Sequence, residues 1–519
     1  MTAIDRRIDP AGTVAVVGTG TMGQGIAQVA LVAGHPVRLY DAAPGRAAQA
    51  ADAIAARLER LVAKDRLAPA ARDAALGRLA PVAGLAGLAD AELAIEAILE
   101  DLGAKQQLFT ALESVVSDSA LLATNTSSLS VTAVAGALRR PGRLLGLHFF
   151  NPAPLLPLVE VVRGFATDQA AADRAYETVA AWGKTPVRCA DTPGFIVNRI
   201  ARPFYAEALR VHEEGAADPA TVDAVLRECG GFVMGPFELT DLIGQDVNEA
   251  VTRSVWEAVF HDPKFTPSLA QRRLVDAGLY GRKSGRGWYD HAEGAPPPEP
   301  HTAEPCRAPS TVVVHAGFGP GSGSGPAREL PRLIEEAGIT VTREDPVGDA
   351  PSGGFIALPD GTRLTLTDGS SATAGSPVPC IRFDLALDYR TATRIALAPG
   401  ETVSPEALRA AIGLFQALGK KVSVIQDVPG MIVARTVAML ADFAMDAAAR
   451  GVASPEDIDT AMRLGVNYPL GPLRWGSELG ARWVRDVMLN LHQAYPTGRY
   501  APSQPLMRRA VAEEEQFSS

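Results

Sequence analysis

Cysteine is scarce: Cys189, Cys229, Cys306 and Cys380 stand far apart in 519 residues, with no CxxC pair and no nearby histidine cluster. Such spacing offers neither a zinc site nor a disulfide framework, so no metal is expected and a reducing cytoplasm is the expected compartment. Positive charge is short as well. Lysine occurs only seven times among 49 basic residues, and the net charge is −10. An acidic balance argues against nucleic acid as the main partner. No apolar run approaches the ~20 residues of a membrane span, and MTAIDRRIDPAG lacks the apolar core of a signal peptide. A soluble cytoplasmic protein with no membrane partner is therefore expected.

What is present is the balance of a globular protein: 47% hydrophobic and 21% charged residues, enough for full-sized cores in about three or four domains at roughly 100–200 residues each. The first ordered signal is Thr13–Val17, an apolar β-branched run that reads as a buried parallel strand. It enters Gly18-Thr19-Gly20-Thr21-Met22-Gly23, then a helical stretch, then a strand at Pro36–Tyr40 ending at Asp41. Strand, glycine turn, helix, strand and acid make a βαβ unit with a dinucleotide fingerprint. Gly18 permits the tight turn, Gly20 lets the backbone approach a pyrophosphate, and Gly23 lets the helix pack on the strand. The pyrophosphate would meet free N–H groups at the helix start. Asp41 accepts hydrogen bonds from a ribose 2′-OH and repels a 2′-phosphate, which points to NAD over NADP.

Further strands are expected at Leu93–Ile98, Ala120–Thr124, Leu144–Phe149 and Leu158–Val162. After Pro193-Gly194 the texture becomes helical, with Phe195–Glu214 reading as one long helix. Residues 291–310 hold six prolines and read as an extended linker. A second glycine-rich stretch, Gly317–Gly325, follows a strand but lacks the GxGxxG spacing and reads as a degenerate loop.

An internal repeat follows. Asp191-Thr-Pro-Gly-Phe-Ile-Val-Asn198-Arg199 recurs as Asp427-Val-Pro-Gly-Met-Ile-Val-Ala434-Arg435, at an offset of 236 residues. The same offset maps Met234-Gly235-Pro236 onto Leu470-Gly471-Pro472, and Pro219 onto Pro455, so the helical domain is duplicated. The expected fold is α/β: an N-terminal Rossmann-like doubly wound sheet, an all-α domain, a degenerate α/β segment and a second all-α copy. Its boundaries are expected at 1–190, 191–290, the linker 291–310, 311–426 and 427–519.

Asn125-Thr-Ser127-Ser128, Gly146-Leu-His148-Phe-Phe-Asn151-Pro152, Leu158-Val-Glu160-Val and the Asp191–Arg199 motif occur in this order, with His148 lying 21 residues after Ser127 and 12 before Glu160. In this order and spacing the chain resembles the L-3-hydroxyacyl-CoA dehydrogenase family over residues 12 to 290. Its length and duplicated helical domain are similar to the long bacterial form of phenylacetate breakdown. The resemblance implies that His148 is the base taking the hydroxyl proton, that Glu160 holds its other ring nitrogen, and that Ser127 and Asn198 bind substrate oxygens. It further implies cofactor contacts at Glu100, Lys105, Asn125 and Asn151. The substrate it implies is a short (3S)-3-hydroxyacyl-CoA, with 3-hydroxyadipyl-CoA and 3-hydroxybutyryl-CoA as candidates.

In the segment Lys64-Asp65-Arg66 an acid interrupts the basic cluster that meets the coenzyme A phosphates in this family, leaving Lys64, or else Arg66, as the candidate contact. Two other readings stay open: a dehydrogenase of a free 3-hydroxy acid or sugar acid, and a non-catalytic NAD-binding scaffold. The second copy has Ala434 where the first has Asn198, while Asp384 and Ala396 fall 236 residues after His148 and Glu160. One active site per chain is therefore expected. A homo-oligomer is an open expectation too, with the duplicate replacing a partner subunit.

Overall fold

The computed structural model describes residues 7–315, 326–344 and 354–518; the Gly317–Gly325 stretch lies outside them. Two compact units form, one from residues 1–199 with 451–466 and the other from 200–450 with 467–519. Among the described residues no helix is long and apolar enough to cross a membrane.

The first unit is built on β1 (Thr13–Val17), β2 (Val37–Tyr40), β3 (Leu79–Pro81), β4 (Ala91–Glu96), β5 (Leu121–Thr124), β6 (Leu144–Phe149), β7 (Leu158–Arg163) and β8 (Thr185–Ala190). These make one sheet in the order β3-β2-β1-β4-β5-β6-β7-β8. Neighbours run parallel except β6 and β7, which are antiparallel. All five residues of β1 are buried, as a strand covered on both faces requires. The helix Arg46–Val62 turns Ala47, Ala50, Ile54 and Leu58 to the core at helical spacing.

Most expected strands fall within two residues of their observed ends. β4 starts earlier and stops at Glu96, because Ile98 bends back to donate its N–H to the Glu96 carboxylate (2.7 Å). β3 and β8 were not anticipated. β3 has only three residues, and β8 carries Pro186 and an exposed Arg188, a pattern tolerated because β8 is an edge strand.

The expected single helix over Phe195–Glu214 is corrected to two, Val197–Ile200 and Arg202–Glu213. Pro203 is the physical reason: it has no N–H to continue the ladder. At the matched position of the second copy stands Met439, and the helix Val433–Ala449 runs unbroken.

The second unit holds the rest of both helical copies and a seven-stranded sheet. Its strands are β9 (Thr311–His315), β10 (Thr340–Glu344), β11 (Phe355–Ala357), β12 (Arg363–Leu366), β13 (Cys380–Phe383), β14 (Arg394–Pro399) and β15 (Lys421–Val424). Their order, β10-β9-β11-β12-β13-β14-β15, matches the first sheet without its β3 edge. One strand is reversed. β11 is antiparallel to both β9 and β12, whereas its counterpart β4 is parallel to β1 and β5. In the first sheet the helix Leu102–Glu113 links β4 to β5; in the second, a tight turn through Asp360 and Gly361 (φ +90°) does so. Parallel neighbours need a long crossover, so losing that helix reverses the strand.

Backbone detail also repeats. Gly194 and Phe195 have φ of +76° and +50°, and Gly430 and Met431 have +74° and +53°. The linker 291–310 carries no helix or strand but is docked: His301 donates its amide to Thr221 (2.8 Å) and Ala303 to the Val422 carbonyl (2.8 Å).

A buried ion cluster joins the two helical copies inside the second unit. Glu207 accepts from Arg435 (2.7 Å), Arg499 (2.5 Å) and the Tyr500 hydroxyl (2.7 Å), and Arg435 also pairs with Glu214 (2.9 Å). Burial pulls the Glu207 carboxyl pKa up, but Arg499 and Arg435 outweigh it and bring it down to about 2.

Candidate active site

A cleft of about 670 Å³ opens over the C-terminal ends of β1, β2 and β4, lined by Gly18, Thr19, Gly20 and Asp41 and by Ile98 and Leu108. This is the switch point of the sheet, where an open α/β fold binds its ligand. Gly18 has φ +92°, and a Cβ there would lie 2.5 Å from the Ala97 carbonyl oxygen. A Cβ on Gly23 would lie 1.9 Å from the Gly18 carbonyl oxygen. Gly20 differs: a Cβ there meets no protein atom within 4 Å, so its lack of a side chain leaves room for a ligand rather than for neighbouring protein. Gly20 caps the helix Thr21–Val32 without a side-chain hydrogen bond, which leaves the first-turn amides for an anion.

Asp41 accepts from the Thr19 amide (3.0 Å) and hydroxyl (2.7 Å) through Oδ2 and from the Ala43 amide (3.0 Å) through Oδ1. Burial works to raise its pKa, but these hydrogen bonds and the nearby Arg46 hold it below the ordinary value. An ionised acid at the end of β2 and an amide-rich helix start fit the ribose and pyrophosphate of NAD.

The end of β4 carries a second construction. The Lys105 ammonium is 1% exposed and sits between Glu96 (2.5 Å) and Glu100 (3.2 Å). Glu100 in turn accepts from the Ser127 amide (3.0 Å), the Ser128 amide (3.1 Å) and the Ser128 hydroxyl (2.9 Å), and from the Thr126 hydroxyl. Thus Glu100 and Lys105 fix the serine loop. Sequence reasoning missed Glu96, whose only signal was an acid ending an apolar strand.

The register of the antiparallel pair sets His148 directly opposite Glu160. His148 Nδ1 meets Glu160 Oε2 at 2.6 Å, both side chains buried. Glu160 Oε1 accepts the amides of Ile196 and Val197, each at 3.0 Å, so one carboxylate orients both the imidazole and the start of the next helix. The Phe150 and Phe195 rings lie 4.5 and 5.8 Å from the imidazole. Phe149 is core, stacked on Trp182, while its neighbour Phe150 lies against the imidazole. With Nδ1 hydrogen-bonded to Glu160, Nε2 is left as the basic nitrogen.

Asn198 donates from Nδ2 to the Ser127 carbonyl (3.3 Å), bringing these two residues together. Asn125 accepts the Phe149 amide (2.9 Å) through its side chain, and so ties β5 to β6 beside the histidine. Asn151 is exposed and begins the cis Asn151–Pro152 bond. Lys64 is exposed in the turn after the helix Arg46–Val62, next to Asp65 at φ +53°.

The second sheet carries the matched position in the same register. Asp384 donates its amide to the Ala396 carbonyl (3.1 Å), continuing the β13–β14 ladder, so Asp384 stands for His148 and Ala396 for Glu160. The Asp384 carboxylate accepts the amides of Ile432 (3.0 Å), Val433 (2.8 Å) and Ala434 (3.0 Å). Burial pushes its pKa up to about 6 against those bonds. The helix-anchoring carboxylate has moved to the other strand, and no histidine–carboxylate pair stands at these positions.

Comparison with known proteins agrees with this geometry. Residues 13–192 match the 3-hydroxyacyl-CoA dehydrogenase NAD binding domain, and residues 194–291 and 430–516 both match that enzyme's C-terminal domain. Residues 364–429 match the 3-hydroxybutyryl-CoA dehydrogenase reduced Rossmann-fold domain. The 3-hydroxyadipyl-CoA dehydrogenase of Escherichia coli (strain K12) is 44% identical over 501 residues, 96% of this chain and 98% of that one. The 3-hydroxybutyryl-CoA dehydrogenase of Mycobacterium tuberculosis (strain H37Rv) is 42% identical over 280 residues, 54% of this chain and 98% of its own length. The crystal structure of 3-hydroxybutyryl-CoA dehydrogenase from Escherichia coli K12 superposes with a TM-score of 0.86 at 42% identity, covering 98% of this chain and 99% of that chain.

Proposed function

The chain belongs to the 3-hydroxyacyl-CoA dehydrogenase family of NAD-dependent oxidoreductases, and from that membership we propose that it oxidises a short (3S)-3-hydroxyacyl-CoA, either 3-hydroxyadipyl-CoA or 3-hydroxybutyryl-CoA, to the 3-oxoacyl-CoA. The observation that carries the reading is the buried 2.6 Å contact of His148 Nδ1 with Glu160. It holds the imidazole in one tautomer and stabilises the cation formed when Nε2 takes the hydroxyl proton.

When bound, NAD supplies the acceptor for the hydride leaving C3. Asp41 holds the ribose, and the first-turn amides after Gly20 hold the pyrophosphate. Ser127 and Asn198 hydrogen-bond the substrate oxygens and polarise the developing carbonyl. Glu100, braced by Lys105, keeps the Ser127 loop in place. Asn125 and Asn151 stand near the nicotinamide end, and Lys64 takes a coenzyme A phosphate. In the reverse direction His148 returns its proton.

The same reading divides the chain into a catalytic pair of domains (1–190 and 191–290) and a silent pair (311–426 and 427–519) joined by 291–310. The silent pair replaces a partner subunit. The enzyme works in the cytoplasm, in the breakdown of phenylacetate or short acyl groups. The deciding experiment compares kcat/KM across 3-hydroxyacyl-CoAs, including one with a terminal carboxylate, and across free hydroxy acids such as L-gulonate. Turnover of a free acid with none of any acyl-CoA sinks the reading.

A further inference from the structure

The helix Pro455–Gly465 belongs to the second, silent helical copy, yet it is part of the compact unit that holds the catalytic pair. It packs on β7 and β8, and the segment leading into it is fastened by the Ala190 amide donating to the Val452 carbonyl (2.8 Å). At Gly465 there is no room for a side chain beside the sheet: a Cβ there would lie 2.7 Å from Leu158 Cδ2, 3.1 Å from Val197 Cγ2 and 3.7 Å from Phe150 Cε1. Each of these side chains leads directly to a site residue. Leu158 is two residues before Glu160 on β7, Val197 directly precedes Asn198 and donates its amide to Glu160, and the Phe150 ring lies on the His148 imidazole.

The silent half supplies an internal control. Cys229 stands 236 residues before Gly465 and ends the matching helix, Pro219–Glu228, which packs on β14 of the silent sheet. There it is buried, donating its thiol to the Leu385 carbonyl (3.3 Å). At that sheet the catalytic histidine and glutamate are Asp384 and Ala396, so the same packing has no proton-transfer pair to hold. A bare glycine Cα is used where the helix end meets the working sheet, and a larger residue is used at the silent one.

We propose that Gly465 is a positioning residue of the active site, the point at which the second copy presses Phe150 and the Val197–Asn198 segment into place around His148. The inference rests on the dehydrogenase reading for its activity readouts but not for its imidazole readout. Gly465→Leu, Gly465→Ala and Phe150→Leu are compared with Cys229→Leu, all in the full chain.

Initial rates of acetoacetyl-CoA reduction are measured against pH at saturating NADH, and the His148 imidazole is titrated by NMR. Gly465→Leu is expected to lower kcat at least tenfold and to move the His148 titration by half a pH unit or more, with NADH affinity within twofold. Gly465→Ala, whose Cβ alone meets Leu158 and Val197, shows both changes at smaller size, Phe150→Leu reproduces the titration shift, and Cys229→Leu changes thermal stability without moving kcat or the titration.

A folded Gly465→Leu with wild-type kcat and titration overturns the inference. So does a Cys229→Leu that reproduces the kcat loss. Should Gly465→Leu not fold, an unshifted titration in both Gly465→Ala and Phe150→Leu overturns it too. A wild type that turns over no acyl-CoA fails the dehydrogenase reading instead, and the imidazole titrations still decide this one.

Discussion

The Ala190 amide donates to the Val452 carbonyl at 2.8 Å, tying the last strand of the catalytic sheet to the second helical copy. The bond has a twin: the Gln426 amide donates to the Ala216 carbonyl at 3.0 Å, with both positions displaced by the repeat and the copies exchanged. Each helical copy therefore fastens to the sheet of the other. A duplication that had only appended a spare domain would not leave both halves of this exchange intact.

A chain ending at residue 295 removes Val452 and the helix Pro455–Gly465 and uncovers β7 and β8. Such a truncation is expected to dimerise, or to lose activity at least tenfold as a monomer, measured by light scattering alongside acetoacetyl-CoA reduction. A well-folded, fully active monomer contradicts the replacement of a partner subunit by the duplicate.

His148→Ala is expected to lower kcat by about 10²–10⁴-fold, the usual span for a general base, with NADH affinity within a few-fold. Glu160→Gln is the sharper variant. It keeps an oxygen for the Ile196 and Val197 amides but removes the charge facing Nδ1. A hydrogen bond to a charged group contributes about 1.5–3 kcal/mol, so kcat should fall roughly 10–100-fold with little loss of stability. Equal kcat in the glutamine variant would show that the carboxylate only anchors the helix.

Asp41→Ala removes the acid that accepts from Thr19 and faces the cleft. Loss of a charge-assisted bond to the ribose should lower kcat/KM for NAD about 10–100-fold while NADP gains relative to it. Steady-state kinetics with both cofactors checks this. An unchanged NAD-to-NADP ratio removes Asp41 from cofactor selection.

The candidate site residues stood out in the sequence because they fall in motifs of one order and spacing that resemble a known family, and the βαβ fingerprint was legible because each glycine answers a backbone need. The Asp384–Ala396 match was legible by offset alone, and the ladder places it where the offset did. What stayed hidden depends on distant partners. Nothing local marks Glu96 and Glu100 as a cradle for Lys105, or Phe150 as a neighbour of the imidazole. Pro203 is plain in the sequence, but the helical texture on both sides of it hides the break it makes between Val197–Ile200 and Arg202–Glu213. β11 has no local sign of its reversal, which follows from the crossover helix the second copy lacks.

Glu207 sets an acid limit on the joined helical copies. Its pKa is about 2 in the folded chain against an ordinary 4.5, so the unfolded chain binds the proton more readily. The stabilisation is therefore complete above about pH 4.5 and is lost as pH falls towards 2. Glu207→Gln leaves Arg435 and Arg499 buried without their shared carboxylate, at a cost of about 3–5 kcal/mol at neutral pH. Urea unfolding at pH 7 and pH 3 should show a large difference between wild type and variant at the first and a smaller one at the second. An equal difference at both would mean that the cluster holds by packing rather than by charge.

Lys105→Met tests whether the serine loop is held electrostatically. The substitution keeps the length of the side chain but leaves Glu96 and Glu100 facing each other without the ammonium. Burial works to raise the Glu100 pKa, and Lys105 is the largest influence lowering it below the ordinary range, with the Thr126 and Ser128 hydroxyls adding to it. Without the lysine, Glu100 takes up a proton more readily and accepts less strongly from the Ser127 and Ser128 amides. The expected result is a loss of about 3–5 kcal/mol in stability from the uncompensated carboxylate, together with a raised KM for acyl-CoA as Ser127 loosens. Lower pH should recover part of the stability, because protonating one carboxylate relieves the repulsion that the lysine had balanced. Thermal unfolding at pH 5 and pH 8 with acyl-CoA kinetics checks both halves. A variant with unchanged KM but lowered stability would separate the cradle from the site.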